Sequence, residues 1–248
     1  MSKNSITMTR AKELLNYTIA NNLALQENGE MPIAFGLEAT PGIGKTSLVE
    51  QVAHERGMTY VKLNLGQLEE AGDLVGFPMK EFEVQVAKVA KGEDGQPKWV
   101  ILPGTQWLTE KQVDMVDKST RYKITGRTRM SYAKPAWVPE YNDNGTIFLL
   151  DDFSRANSQL LQATMELILT QGYASWKLPK KTTVVLTSNA DDGTNNVTSL
   201  DMAQRTRFMN FEVEFSIDAW MRWAEENNID SRCISFVANY FMELFNID

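Results

Sequence analysis

Residues 39–46 read Ala39-Thr40-Pro41-Gly42-Ile43-Gly44-Lys45-Thr46, and this octapeptide decides the fold. It follows a short apolar run at 32–38 (PIAFGLE) that reads as a buried strand. It precedes SLVEQVAHERG, whose apolar spacing predicts a helix closed by Gly57. A strand, a glycine-bearing loop and a helix are the setting of the phosphate-binding pattern G-x-x-x-x-G-K-S/T. Ala39 stands where that pattern has its first glycine, and the remaining positions match. Each residue type has a reason. Gly42 and Gly44 let backbone N–H groups turn inward onto an anion. The helix that follows presents roughly half a positive charge at its N-terminus. Lys45 brings a point charge to the outer phosphates, and Thr46 offers a hydroxyl to Mg²⁺. The candidate nucleotide contacts are therefore Thr40, Pro41, Gly42, Ile43, Gly44, Lys45, Thr46 and Ser47.

Working outward, the next signal is Ile147-Phe148-Leu149-Leu150-Asp151-Asp152. A continuous apolar run marks a strand buried on both faces. Its acidic end, downstream of a phosphate loop, is where a metal-holding carboxylate and a water-activating one belong. Asp151 is the candidate for the metal with Thr46, and Asp152 for the water. A second buried strand, TTVVLTSN at 182–189, ends in Thr187-Ser188-Asn189, where Asn189 can position a water. Arg205 and Arg207 lie just before a last strand predicted at 207–215. Either can act as a charge-stabilising finger, and either can be an ordinary surface charge.

The surroundings agree with a globular nucleotide protein. The chain has 248 residues, 43% hydrophobic and 23% charged, with a net charge of −7. That charge argues against a general affinity for nucleic acid. A single cysteine, Cys233, excludes an internal disulfide, and with a single histidine, His54, a Cys/His zinc site is not expected. The first residues lack a signal-peptide pattern and no run of 18 apolar residues occurs, so a cytoplasmic protein without membrane contact is expected. Helices are predicted at 9–27, capped by Thr9, and at 157–170, capped by Asn157 or Ser158. A strand is predicted at 58–65, a small hairpin in YASWKLPK, a short helix at 199–206 and two closing helices near 217–227 and 230–246. Between about 79 and 140 the pattern is irregular and reads as an insertion. It holds a hairpin around EDGQ, a short helix at 106–118 and a polar, aromatic stretch at 121–140. In that stretch Arg121, Lys123, Arg127, Arg129 and Lys134 interleave with Tyr122 and Tyr132, which suits either a solvated hairpin or a polymer-contact surface. Buried strands alternating with helices predict a three-layer α/β fold around a parallel sheet.

Taken in order, ATPGIGKT, LLDDFSRAN, TSN and LDMAQRTRF resemble the AAA+ ATPases of the MoxR-like group. The likeness extends through DLVGFP at 73–78, KPAWVP at 134–139 and DAWMRWAEENNID at 218–230. The resemblance implies a P-loop NTPase core at 1–216, with a five-stranded parallel sheet of order 5-1-4-3-2 and two β-hairpin insertions. It implies a helical lid beginning at 217–248, short here. It makes Asn189 sensor 1 and Arg207, ahead of Arg205, the arginine finger. It further implies ATP or ADP with Mg²⁺, a ring of copies of the chain, most often six, and a partner carrying a von Willebrand factor A domain.

Two departures matter. The family has Asp-Glu where this chain has Asp151-Asp152, and aspartate is about 1.5 Å shorter. A misplacement of ~1 Å costs on the order of 10²-fold in rate, so slow turnover is expected. The lid carries only Arg222 and Arg232, both early for a sensor 2 arginine. A remodelling ATPase is the preferred expectation. A nucleotide switch or scaffold with little hydrolysis, and a DNA-handling ATPase, are the alternatives.

Overall fold

The computed structural model describes residues 5–91, 96–114, 120–190, 204 and 206–244. The first part runs β1 (Ile6–Thr7), α1 (Met8–Glu27), β2 (Ala34–Ala39), α2 (Lys45–Glu55), β3 (Thr59–Asn64) and α3 (Ala71–Val75). The middle is β4 (Pro78–Lys91), β5 (Pro97–Ile101), β6 (Gln106–Thr109), α4 (Glu110–Asp114) and β7 (Thr120–Tyr132). The last part is β8 (Thr146–Asp151), α5 (Ser158–Thr170), β9 (Gly172–Tyr173), β10 (Trp176–Lys177), β11 (Thr182–Asn189), β12 (Phe208–Glu214), α6 (Ile217–Glu226) and α7 (Ser231–Leu244).

All six residues of β8 are buried, as its unbroken apolar run requires. It lies between β3 and β11 in a parallel sheet of order β1-β12-β2-β11-β8-β3. Numbering the five long strands by chain order gives 5-1-4-3-2, the arrangement implied by the resemblance. β1 adds a sixth strand of two residues on the β12 edge. Alternation along β8 divides the core. Ile147 and Leu149 pack with Leu15, Ile19, Val49 and Val52 of α1 and α2. Phe148 and Leu150 pack with Leu74 of α3 and Leu160, Leu161 and Leu167 of α5. Each fully buried side chain of this kind contributes about 1.5–3 kcal/mol. The result is helix, sheet, helix, with the loops of the candidate site at the C-terminal edge of the strands.

Caps define two of the helices. Thr7 caps α1, its hydroxyl accepting from the Arg10 amide at 3.3 Å; Thr9, the expected cap, already lies inside the first turn. Asn157 caps α5, accepting from the Leu160 amide at 2.9 Å.

The inserted region is more regular than its sequence suggests. β4, 14 residues long, pairs antiparallel with β5 and β6 along one edge and with β7 along the other. β4 and β5 pair as the two strands of the hairpin expected around EDGQ, whose turn residues 92–95 lie outside the described set. The helix expected at 106–118 is instead the strand β6 followed by one turn, α4; residues 115–119 lie outside the described set. The polar stretch after it is a 13-residue strand, β7. One of the two insertions is thus a four-stranded sheet rather than a hairpin. The other, β9–β10, is the small hairpin expected.

That small hairpin fixes the base of the insertion. The Ser175 hydroxyl donates to the Tyr132 carbonyl at 2.9 Å and accepts from its amide at 2.6 Å. The Tyr132 and Tyr173 rings meet edge to face. Trp176 donates its indole N–H to the Val75 carbonyl at 2.8 Å, and Trp137 stacks on Phe148 at 4.5 Å. Gly76 is required at this junction. Its φ is 88°, and a Cβ there would lie 1.8 Å from the Ala133 carbonyl oxygen.

Candidate nucleotide site

Three parallel strands deliver the site residues. β2 ends at Ala39 and passes through the loop into α2, which begins at Lys45. Gly42 and Gly44 have φ of 83° and 98°, in the left-handed region that favours glycine. No crowding explains them: a Cβ on Gly42 would meet nothing within 4 Å, so the requirement is conformational.

Lys45 is nearly buried and folds back over the loop. Its Nζ donates to the Ala39 carbonyl at 2.9 Å, the Thr40 carbonyl at 3.0 Å and Asn189 Oδ1 at 3.2 Å. An ammonium has three protons, and here each has an acceptor. Burial pulls the Lys45 ammonium below its ordinary pKa, and the charges of Asp152 and Asp151 oppose that pull.

Asp151 closes β8 and collects three donors. The Thr46 hydroxyl lies 3.1 Å from Oδ1, the Thr187 hydroxyl donates to the same oxygen, and Lys62 Nζ sits 2.8 Å from Oδ2. Burial pushes the Asp151 carboxyl up, but the hydrogen bonds from Lys62, Thr187 and Thr46 outweigh it and hold the group below its ordinary value. Asp152 follows with φ 53° and ψ 37°, a left-handed conformation that costs a non-glycine residue ~1–3 kcal/mol. Asn189 Nδ2 faces Asp152 Oδ1 at 3.5 Å. Asn189 therefore stands between Lys45 and Asp152.

The structure thus brings Lys45, Thr46, Asp151, Asp152 and Asn189 to one edge of the sheet. Arg207 lies outside this group. It is exposed at the turn before β12, in a groove lined by Gln162, Glu166 and Thr170 of α5. Arg205 and most of the helix expected at 199–206 fall outside the described residues. Sequence reasoning missed Lys62 and Thr187 as partners of Asp151. Lys62 stands in β3 opposite Leu149, so its side chain shares a face with Leu149 and, two residues further along β8, with Asp151. Only the pairing register reveals that proximity.

The profile of the ATPase family associated with various cellular activities (AAA) matches residues 36–217. The chain belongs to this AAA family. The matched segment contains the phosphate loop, Asp151-Asp152, Asn189 and Arg207. Among solved structures, a variant of Thermotoga maritima RuvB is 14% identical, with 90% of this AAA chain and 52% of that chain covered and a TM-score of 0.46. A proposed ATPase of Cytophaga hutchinsonii is 13% identical, with 90% and 57% covered and a TM-score of 0.45. The T. maritima RuvB Holliday junction branch migration motor is 14% identical, with 88% and 52% covered and a TM-score of 0.41. This AAA chain spans about half the length of the structures it matches. No curated protein sequence matches it. Among the described residues, no helix is long and apolar enough to cross a membrane.

Proposed function

We propose that this AAA protein is a Mg²⁺-dependent ATPase of the MoxR-like group that remodels a macromolecular target. The observation that carries the reading is the convergence of Lys45, Thr46, Asp151, Asp152 and Asn189 at the C-terminal edge of β2, β8 and β11. The donor set fits a magnesium nucleotide: a lysine ammonium held over the loop, a threonine hydroxyl paired to a carboxylate, and two left-handed glycines before a helix.

In this reading the loop amides of Thr40 and of Gly42 to Thr46, with the α2 N-terminus, bind the phosphates of ATP. Lys45 leaves the Ala39 and Thr40 carbonyls for the outer phosphates. Thr46 and Asp151 would hold Mg²⁺, which would neutralise phosphate charge. Asp152 accepts a proton from the attacking water, and Asn189 orients that water. Arg207, or Arg205, reaches the site of an adjacent copy in a ring, which fits the exposed place of Arg207 in the α5 groove. The unit at 1–216 acts as the nucleotide core, and 217–248 begins the lid. A von Willebrand factor A domain protein is the expected partner.

One observation favours a second reading, a nucleotide switch with little hydrolysis. Asp152 is a methylene shorter than the family's glutamate, and Asn189 meets it only at 3.5 Å. Turnover at saturating Mg-ATP and high protein concentration separates the two. Sustained phosphate release supports the ATPase, and nucleotide binding without release supports the switch.

A further inference from the structure

The inserted sheet carries charge of the opposite sign to the remainder of the chain. Residues 78–132 hold ten Lys and Arg against seven Asp and Glu, a net of +3 in a chain whose total is −7. The register of β4 shows where some of those cations stand. Arg121 lies opposite Ala87 and Lys123 opposite Gln85. On the other side of β4, Ile101 also lies opposite Ala87, and Trp99 opposite Val89. Paired residues project to the same side of a sheet, and residues two apart share a face. Trp99, Ile101, Arg121 and Lys123 therefore share one face. The Arg121 guanidinium lies 4.3 Å over the Trp99 ring, as that placement requires. Nearer the base, Arg129 lies 4.6 Å over Trp107 on the same face.

Edge protection explains part of this pattern, because β7 pairs only with β4 and charged side chains blunt free edges. It explains Arg129 and Arg127, which pair with Glu81 at 2.7 Å and Glu83 at 3.9 Å. It does not explain the outer half. Among the described residues no carboxylate lies within ion-pair distance of Arg121 or Lys123. Val89 and Ile101 beside them are exposed, and Trp99 is only half-buried. Among the described residues, Val89, Trp99 and Ile101 belong to neither core cluster.

We propose that the outer half of this face binds single-stranded nucleic acid, with bases stacking on Trp99 and the Arg121 guanidinium and phosphates meeting Arg121 and Lys123. Same-face residues on a strand stand about 6.6 Å apart, so the cations form a track along β7 for an extended backbone. Base stacking on a ring or a guanidinium needs an unpaired base, which selects a single strand over a duplex. An acidic peptide would use the cations but leave the indole without a role.

The proposal is independent of the nucleotide reading, since it uses none of that site's residues, and the test is run without nucleotide. The probe is a fluorescein-labelled oligothymidine of roughly 30 nucleotides, longer than the ~4–16 that single-strand sites cover. Its anisotropy is titrated with the full chain over a series of salt concentrations. Saturable binding that weakens with salt is expected. The double variant Arg121→Gln/Lys123→Gln should lower the steepness of the log–log salt dependence by about 1.4, two phosphate contacts at ~0.7 each. Trp99→Ala should weaken binding ~10-fold, and Trp99→Phe, which keeps a ring, should retain most of the affinity. Circular dichroism melting of each variant checks folding; should Trp99→Ala unfold, the double variant and Trp99→Phe carry the test. Absence of saturable binding at low salt overturns the proposal. So does an unchanged affinity and salt slope in the double variant. Equal affinity for duplex DNA or for polyglutamate overturns it as well, and the latter marks an acidic-polypeptide site.

Discussion

The two sheets of this protein are stabilised by different physics. The parallel sheet is covered by helices on both faces, and its central strand β8 is wholly buried. Apart from Tyr132 at its base, which packs against the α5-side cluster, the described residues of the inserted antiparallel sheet lie outside both core clusters. Among its described residues only Glu83, Val84, Val86 and Ser131 are buried, and its cross-strand links are ion pairs and cation–π contacts. Burial of apolar surface is worth several kcal/mol per side chain, whereas an exposed pair is worth about 0–1 kcal/mol. The proposed nucleotide residues therefore lie on the helix-covered sheet and the proposed single-strand face on the looser one, the two sheets being joined through the Tyr132–Ser175 contact and Gly76.

The largest effect expected from this contrast concerns hydrolysis on the core. Arg207→Ala should lose ~10³–10⁵-fold in ATP turnover while keeping nucleotide binding, if the arginine serves a neighbouring copy. Mixing it with Lys45→Ala protein should restore part of the activity, and wild-type specific activity should rise with protein concentration. Activity that is independent of concentration, with no complementation, would leave Arg207 as a surface charge.

Stability measurements test the contrast directly. Leu149→Ala should cost ~2–5 kcal/mol in denaturant unfolding, because the site is buried between β3 and β11 and cannot collapse. Glu81→Gln in the insertion should cost at most ~1 kcal/mol, because its partner Arg129 is half-exposed. A loss at Glu81 as large as that at Leu149 would mean that the insertion has a core of its own.

The smallest effect is a dependence on acid. Hydrogen bonds from Thr125 and Thr105 hold the Glu83 carboxyl below its ordinary value, with Arg127 adding to them. A lowered folded-state pKa gives stability that is complete above the unfolded value, about 4.3, and disappears as pH falls through the lowered one. Amide protection in β4 and β7, taken relative to the intrinsic exchange rate at each pH, should therefore fall below about pH 4 in the wild type. Glu83→Gln should remove that pH dependence.

The same contrast governs what could be read from the sequence. The strands ILE147 to Leu150 and 182–189 announce themselves because both faces are dry, and the loop at 39–46 announces itself because phosphate chemistry restricts its residue types. β7 escaped notice because an exposed edge strand alternates cation with polar or aromatic residue, and no apolar period marks it. The helix expected at 106–118 failed for a related reason. Trp107 and Leu108 follow either period, and pairing with β4 decided for the strand. The cap at Thr7 was missed by two residues because Thr7 and Thr9 are chemically equivalent, and the choice rests on where β1 ends. Lys62 at Asp151 was invisible for want of register. Its removal sharpens the core side of the contrast: Lys62→Met should change the Mg²⁺ concentration needed for nucleotide-induced stabilisation. An unchanged requirement would make the ion pair purely structural.

The central claim is that the loop at 39–46 and the carboxylates at the end of β8 form a nucleotide site. Thermal unfolding with and without Mg-ATP tests it most directly. At a ligand concentration 100-fold above the dissociation constant, the wild type should gain ~2.7 kcal/mol, and Lys45→Ala should lose most of that gain. A wild type that gains nothing, or a Lys45→Ala variant with an unaltered gain, would contradict the account.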